Sequence, residues 1–225
     1  MIPLRDDNPT RTTPVVTIAL IALCTLVFLW EITLPGDEQQ AAVYLLGFIP
    51  AVLFGRAELP EHWVSPTLSI FTAMFMHGGL MHLLGNMLYL WIFGDNVEDR
   101  VGHARFVLFY LICGAVAALA QALPDMGSRV PMIGASGAVS GVLGAYIVLY
   151  PRANVLVLVP LIVVFQTFRV PAWIVLGMWF IGQLANSLLA APGQVGVAFG
   201  AHVGGFLAGV ALIRLFVREA QPIRY

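Results

Sequence analysis

Lysine is absent from this chain of 225 residues, and charge of either sign is scarce. Only 10% of the residues are charged, against roughly 25% in an average soluble domain. Eleven arginines against twelve acidic residues leave a net charge of −1 and no basic footprint, which excludes nucleic acid as a partner. The two cysteines, Cys24 and Cys113, stand inside apolar runs and form neither CxxC nor a metal-type spacing, which argues against a disulfide framework. No low-complexity tract or second soluble domain interrupts the chain. What fills it instead is apolar: 60% of residues are hydrophobic, and the mean hydropathy is +0.89. A soluble globule of this size cannot hide that much apolar surface, and disorder is excluded for the same reason. The chain reads as an all-α polytopic membrane protein embedded in a lipid bilayer.

Stretches free of Asp, Glu, Lys and Arg locate the spans, each of which needs about 20 mostly apolar residues. Thr12–Trp30 holds 19 residues, Val64–Gly94 31, Phe106–Pro124 19, Val130–Pro151 22 and Val170–Ile213 44, the last divided at Pro192-Gly193. These predict six helices, with the start of the second run at the interface. Residues 153–168, a Val/Leu alternation with Pro160 in it, are too short for a span and read as a surface or re-entrant piece. Nine arginines fall on one side of this scheme (Arg5, Arg11, Arg100, Arg105, Arg152, Arg169, Arg214, Arg218 and Arg224) and two, Arg56 and Arg129, on the other. The asymmetry predicts both termini in the cytoplasm. Residues 1–225 form one membrane domain: a cytoplasmic segment at 1–11, an outer loop at 35–65 with an apolar, folded middle, and a cytoplasmic tail at 214–225. The first apolar stretch lacks a small-residue cleavage site and reads as a retained span.

Polar side chains inside a span are costly, so each is a candidate for function. They are few: His77, His82 and Asn86 in the second span, Ser136 and Ser140 in the fourth, and Gln183, Asn186 and His202 in the last two. Ser136 lies in Gly134-Ala-Ser-Gly137, near the outer end of its run. The small residues around it also suit close helix packing, as do Gly196, Gly200 and Gly204, and Ala201, Gly205 and Gly209, at spacing four. His202 falls in the outer part of the last span, at a depth similar to Ser136. A hydroxyl beside an imidazole is the pattern of a nucleophile and its general base. His82 and Asn86, at i and i+4, share a helix face and offer donors for an oxyanion. His77 reads as structural. With no carboxylate inside a run except Glu31 at the outer edge of the first, the site is a Ser/His dyad. Three scattered histidines without carboxylates make a poor zinc set, so neither metal nor other cofactor is expected.

These residues, in this order, resemble the rhomboid family of intramembrane serine proteases. The resemblance rests on His77-xxxx-His82-xxx-Asn86, Gly94-xxx-Glu98-xxx-Gly102, Gly134-x-Ser136-Gly137 and Ala201-His202-xx-Gly205-xxx-Gly209. It implies a six-transmembrane-helix bundle with a wet cavity open to the outer side. It implies Ser136 as nucleophile, His202 as base, and His82, Asn86 and the Ser136 N–H as oxyanion donors, supported by Gly134, Gly137 and His77. It implies gating by about residues 170–199, and substrates that are single-span or polytopic membrane proteins cut near a small residue. A bacterial inner membrane is the expected location. The chain departs from many members at His62-Trp63-Val64, which lacks an arginine after the tryptophan. It departs from some at Ser140, where those members carry a tyrosine. Two rival readings remain: an inactive relative that binds membrane proteins for quality control, and a transporter. The first should lack the serine or the histidine. The second should show a repeat between its halves, and none is seen.

Overall fold

Apolar runs set where the helices form, and small residues set how closely they approach. The computed structural model describes residues 1–58, 64–161, 164–190 and 196–217. Nine helices are present among them: α1 (Val15–Glu31), α2 (Gly36–Leu46), α3 (Pro50–Leu53), α4 (Pro66–Thr72), α5 (Leu80–Val101), α6 (His103–Ala122), α7 (Ser136–Leu149), α8 (Ala172–Leu189) and α9 (Phe199–Phe216). Three strands, β1 (Ile2–Asp6), β2 (Asn154–Leu161) and β3 (Val164–Pro171), form an antiparallel sheet in the order β1-β2-β3.

The sheet corrects the all-α reading. Of the segment read as a surface or re-entrant piece, residues 154–161 and 164–168 lie in two paired antiparallel strands. Val155 and Val157 point inward and are buried, while Phe165 on the facing strand is 70% exposed. That is the two-residue period of a strand with one covered face. Val157 pairs with Pro3 on one side and Phe168 on the other, so the N-terminal residues complete the sheet.

The helices match the apolar runs with shifted ends. Three are long and apolar enough to cross a membrane: His103–Asp125 (α6 with the short turn after it), α8 and α9. A fourth crossing results if residues 66–75 and 80–101 count as one bent by 83°. At 17 and 14 residues, α1 and α7 are apolar but shorter, so length alone does not deliver six crossings. The charge-free count overestimated α7 because residues 130–135 are not helical; Met132 bridges to Phe48 instead. Phe48, Ile49 and Ala51 are buried, so the apolar middle of the 35–65 loop is folded onto the bundle. The break at Pro192-Gly193, the His62-Trp63 pair, and Arg218 and Arg224 lie outside the described residues.

Helix α7 occupies the centre, buried without interruption from Gly137 to Tyr146. Its neighbour α9 runs parallel to it at backbone contact. A Cβ on Gly205 would overlap the Gly137 carbonyl, one on Gly209 the Gly141 carbonyl, and one on Gly144 the Phe206 carbonyl. Gly200 and Gly204 meet Gln121 and Ala120 of α6 instead, and Gly196 precedes the helix with nothing against it among the described residues. At the other edge α5 closes the open end of α1. The Glu98 carboxylate is fully buried and accepts from the Val16 N–H (2.9 Å), the Thr17 N–H (2.7 Å) and the Thr17 hydroxyl (2.7 Å). These amides are orphan donors of the α1 first turn, which has no cap of its own. Gly102, at φ +84°, then turns the chain directly from α5 into α6, in a region open to glycine.

Candidate active site

Ser136 opens α7. The first hydrogen bond of that helix runs from the Val139 N–H to the Ala135 carbonyl at 2.9 Å, so the N–H groups of Ser136, Gly137 and Ala138 have no helical acceptor. The positive end of the helix dipole coincides with them. Gly134 leads in at φ +123°, its N–H held by the Ala73 carbonyl at 2.8 Å. A side chain there would meet the His82 ring at 2.6 Å, so glycine is required twice, for the dihedral and for the space. The backbone before Ser136 therefore lies flat against His82.

His202 sits one turn into α9. The Ala201 N–H beside it donates to the Gln121 side chain of α6 at 3.1 Å, which fixes the start of the helix. Trp179 of α8 lies against the His202 ring at 6.0 Å, inclined by 32°, and Phe199 meets it edge-on at 6.3 Å. His202 Nδ1 is 2.7 Å from Gln183 Oε1. Asn186, the other polar residue of α8, bonds the Gly182 carbonyl of its own helix and is exposed.

Ser136, His202, His82, Asn86, Gly134 and Gly137 all line one cavity of about 1220 Å³. Ser136 and His202 are not hydrogen-bonded to each other among the described residues; such pairs often tighten only when substrate is bound. Asn86 is buried, and its Nδ2 has no partner among the described residues. A buried donor left free costs stability and is often kept for function. His82 opens onto the cavity one turn away.

His77 does not line the cavity. It falls in the break before α5 rather than within a helix of the second span, and it is buried. Its N–H donates to Glu31 at 3.1 Å, and its ring meets that of His82 edge-on at 5.2 Å. It braces His82 from behind. Two features were missed in the sequence. Glu31, read as an edge residue, is buried and ties α1 to this break. Gln183 was noted as polar, but its partner was not. Its place 19 residues before His202 gives no cue, because the pairing depends on how α8 is rotated against α9.

Polar side chains that line one cavity among apolar helices define a membrane protein, and the sequence places it more narrowly. The Rhomboid domain family model matches residues 64–219, and the chain belongs to the rhomboid family. It is similar to the mitochondrial Rhomboid protein 1 of Saccharomyces cerevisiae, 32% identical over 188 residues, covering 75% of this chain and 51% of that protein. It is similar to RHOMBOID-like protein 5 of Arabidopsis thaliana, 29% identical over 151 residues, covering 64% and 42%. The Rhomboid protease GlpG of Salmonella choleraesuis is 28% identical over 209 residues, covering 90% and 63%. The chain thus spans about half of the length of these relatives.

Proposed function

We propose that this chain is an intramembrane serine endopeptidase that cuts transmembrane segments of other membrane proteins. One observation carries the reading: a serine at a helix N-terminus, a histidine on the helix packed against it and a buried asparagine amide with no protein partner among the described residues line the same cavity. A relative over most of the chain is named a protease, which supports it.

The chemistry follows from these groups. Ser136 Oγ attacks the scissile carbonyl carbon, and its proton passes to His202. The Oγ–C bond forms as the carbonyl oxygen takes up negative charge. That charge meets the Asn86 amide, the His82 ring and the free N–H groups at the start of α7, all in a site walled by apolar helices where such donors act strongly. Collapse breaks the C–N bond, and the imidazolium returns the proton to the leaving amine. Water then repeats the cycle on the acyl-enzyme. No metal or cofactor enters any step. The apolar helices and the family support a membrane location, and the nine-to-two arginine distribution of the sequence argues for cytoplasmic termini. Purified protein incubated with a panel of single-span membrane proteins in detergent tests the activity. Cleavage by the wild type that vanishes in Ser136→Ala is expected. No cleavage by the wild type would favour a binding role.

A further inference from the structure

We propose that Gln183 is the positioning residue for the base: its side-chain carbonyl accepts the His202 Nδ1 proton and so leaves Nε2 free to take the proton of Ser136. The inference rests on the protease reading of the same cavity.

Neutral imidazole carries one proton, on either nitrogen, and only the bare nitrogen can act as a base. The tautomer is therefore a choice that the surroundings must make. An amide oxygen has no hydrogen to give, so the 2.7 Å contact with Gln183 Oε1 requires the proton on Nδ1. Serine hydrolases with a triad assign this task to a carboxylate. No carboxylate is bonded to His202 among the described residues. A neutral amide does the same orienting without bringing an anion into an apolar bundle, where an isolated charge is costly.

Among the described residues, Gln183 makes the hydrogen bond to the His202 ring. The aromatic neighbours, Trp179 and Phe199, limit its tilt but do not select a nitrogen. Ser140 stands on α7 where some family members carry a tyrosine, but its hydroxyl is spent on the Ser136 carbonyl at 2.6 Å. Gln183 is held for the purpose. Trp179, one turn earlier on α8, packs on both His202 and Phe206, and Phe180 stacks on Phe206 at 4.6 Å. These rings set the rotation of α8 that aims the amide at α9. Beyond them α8 touches little, and Leu188 and Leu189 are exposed.

Two measurements on the full chain in detergent test the assignment. The first is the tautomer, read from ¹⁵N resonances of imidazole-labelled protein, with His202 assigned by the signal lost in His202→Ala. The second is the rate at which a fluorophosphonate labels Ser136, which reports nucleophilicity without a protein substrate. Wild type should show the Nδ1–H form. Gln183→Leu should lose it and label about 10- to 100-fold more slowly, the range seen when the hydrogen-bond partner that orients a metal-ligating histidine is removed. Gln183→Glu, which keeps an acceptor, should retain the Nδ1–H form and recover most of the rate. An unchanged tautomer in Gln183→Leu, or slowing that follows a lowered melting temperature and is not rescued by Gln183→Glu, overturns the proposal. If Gln183→Leu does not fold, Gln183→Asn, one methylene too short, takes its place with the same two outcomes. The tautomer needs no turnover, so it judges Gln183 separately from proteolysis; a wild type that leaves Ser136 unlabelled counts against the protease reading instead.

Discussion

At the scale of single residues, the groups expected to act as a unit should fail as a unit. Ser136→Ala should abolish cleavage, since alanine fits the small-residue face but carries no nucleophile. His202→Ala should be nearly as damaging, and the double variant little worse than either single, because losses within one catalytic unit do not multiply. Multiplicative losses in cleavage assays would contradict a dyad. Asn86→Ala is different. Its amide has no protein partner among the described residues and lines the cavity, where an oxyanion would form. The loss should appear in kcat more than in KM, and should be about 10² or less because other donors remain. An intact kcat with a lowered melting temperature would make Asn86 a packing residue. Ser136, His202, His82, Asn86 and Gln183 all stood out as candidates because a polar side chain in an apolar run has to be explained, and the first four share one cavity. The pairing of Gln183 with His202 was not legible, because hydrogen-bond partners on different helices are set by rotation, which spacing along the chain does not encode.

At the scale of elements, the α7–α9 contact makes a contrast between two glycines. Gly209→Ala puts a methyl group into the Gly141 carbonyl and should cost roughly 1–3 kcal/mol of stability, as overpacking does. Gly177→Ala on α8 has nothing within 4 Å and should instead gain up to about 1 kcal/mol from helix propensity. Equal effects in thermal unfolding would deny the close approach. Glu98→Ala strips three donors of α1 at once; each buried donor left unpaired costs about 1–3 kcal/mol, so the melting temperature should fall well below that of Glu98→Gln, which keeps an acceptor. The small-residue spacing announced the first contact. The second was hidden, since Glu98 is 81 residues from Thr17 and a carboxylate beside Asp99 and Arg100 reads as solvated. The sheet was hidden for another reason. A five-residue strand at residues 2–6 is too short for its period to declare itself, and it gains its partner only when β2 is brought beside it.

At the scale of the whole molecule, the sheet orders the two ends of the bundle. Strand β1 pairs with β2, so residues 2–6 and the hairpin share one side, along with Arg5, Arg152 and Arg169. Helix α7 runs toward that side, so Ser136 begins about 21 Å away from it, at 1.5 Å per residue over 14 residues. The candidate site thus faces away from the arginine-rich end. Reporter fusions after Tyr225 should be active only as cytoplasmic fusions; activity outside would reverse the orientation. Hydrolysis by Ser136 is decided by incubating purified wild type and Ser136→Ala, side by side, with single-span membrane substrates in detergent, with and without chelator. Cleavage by the wild type alone, unaffected by the chelator, is expected. Cleavage that survives in Ser136→Ala, or that a chelator stops and added zinc restores, would contradict it.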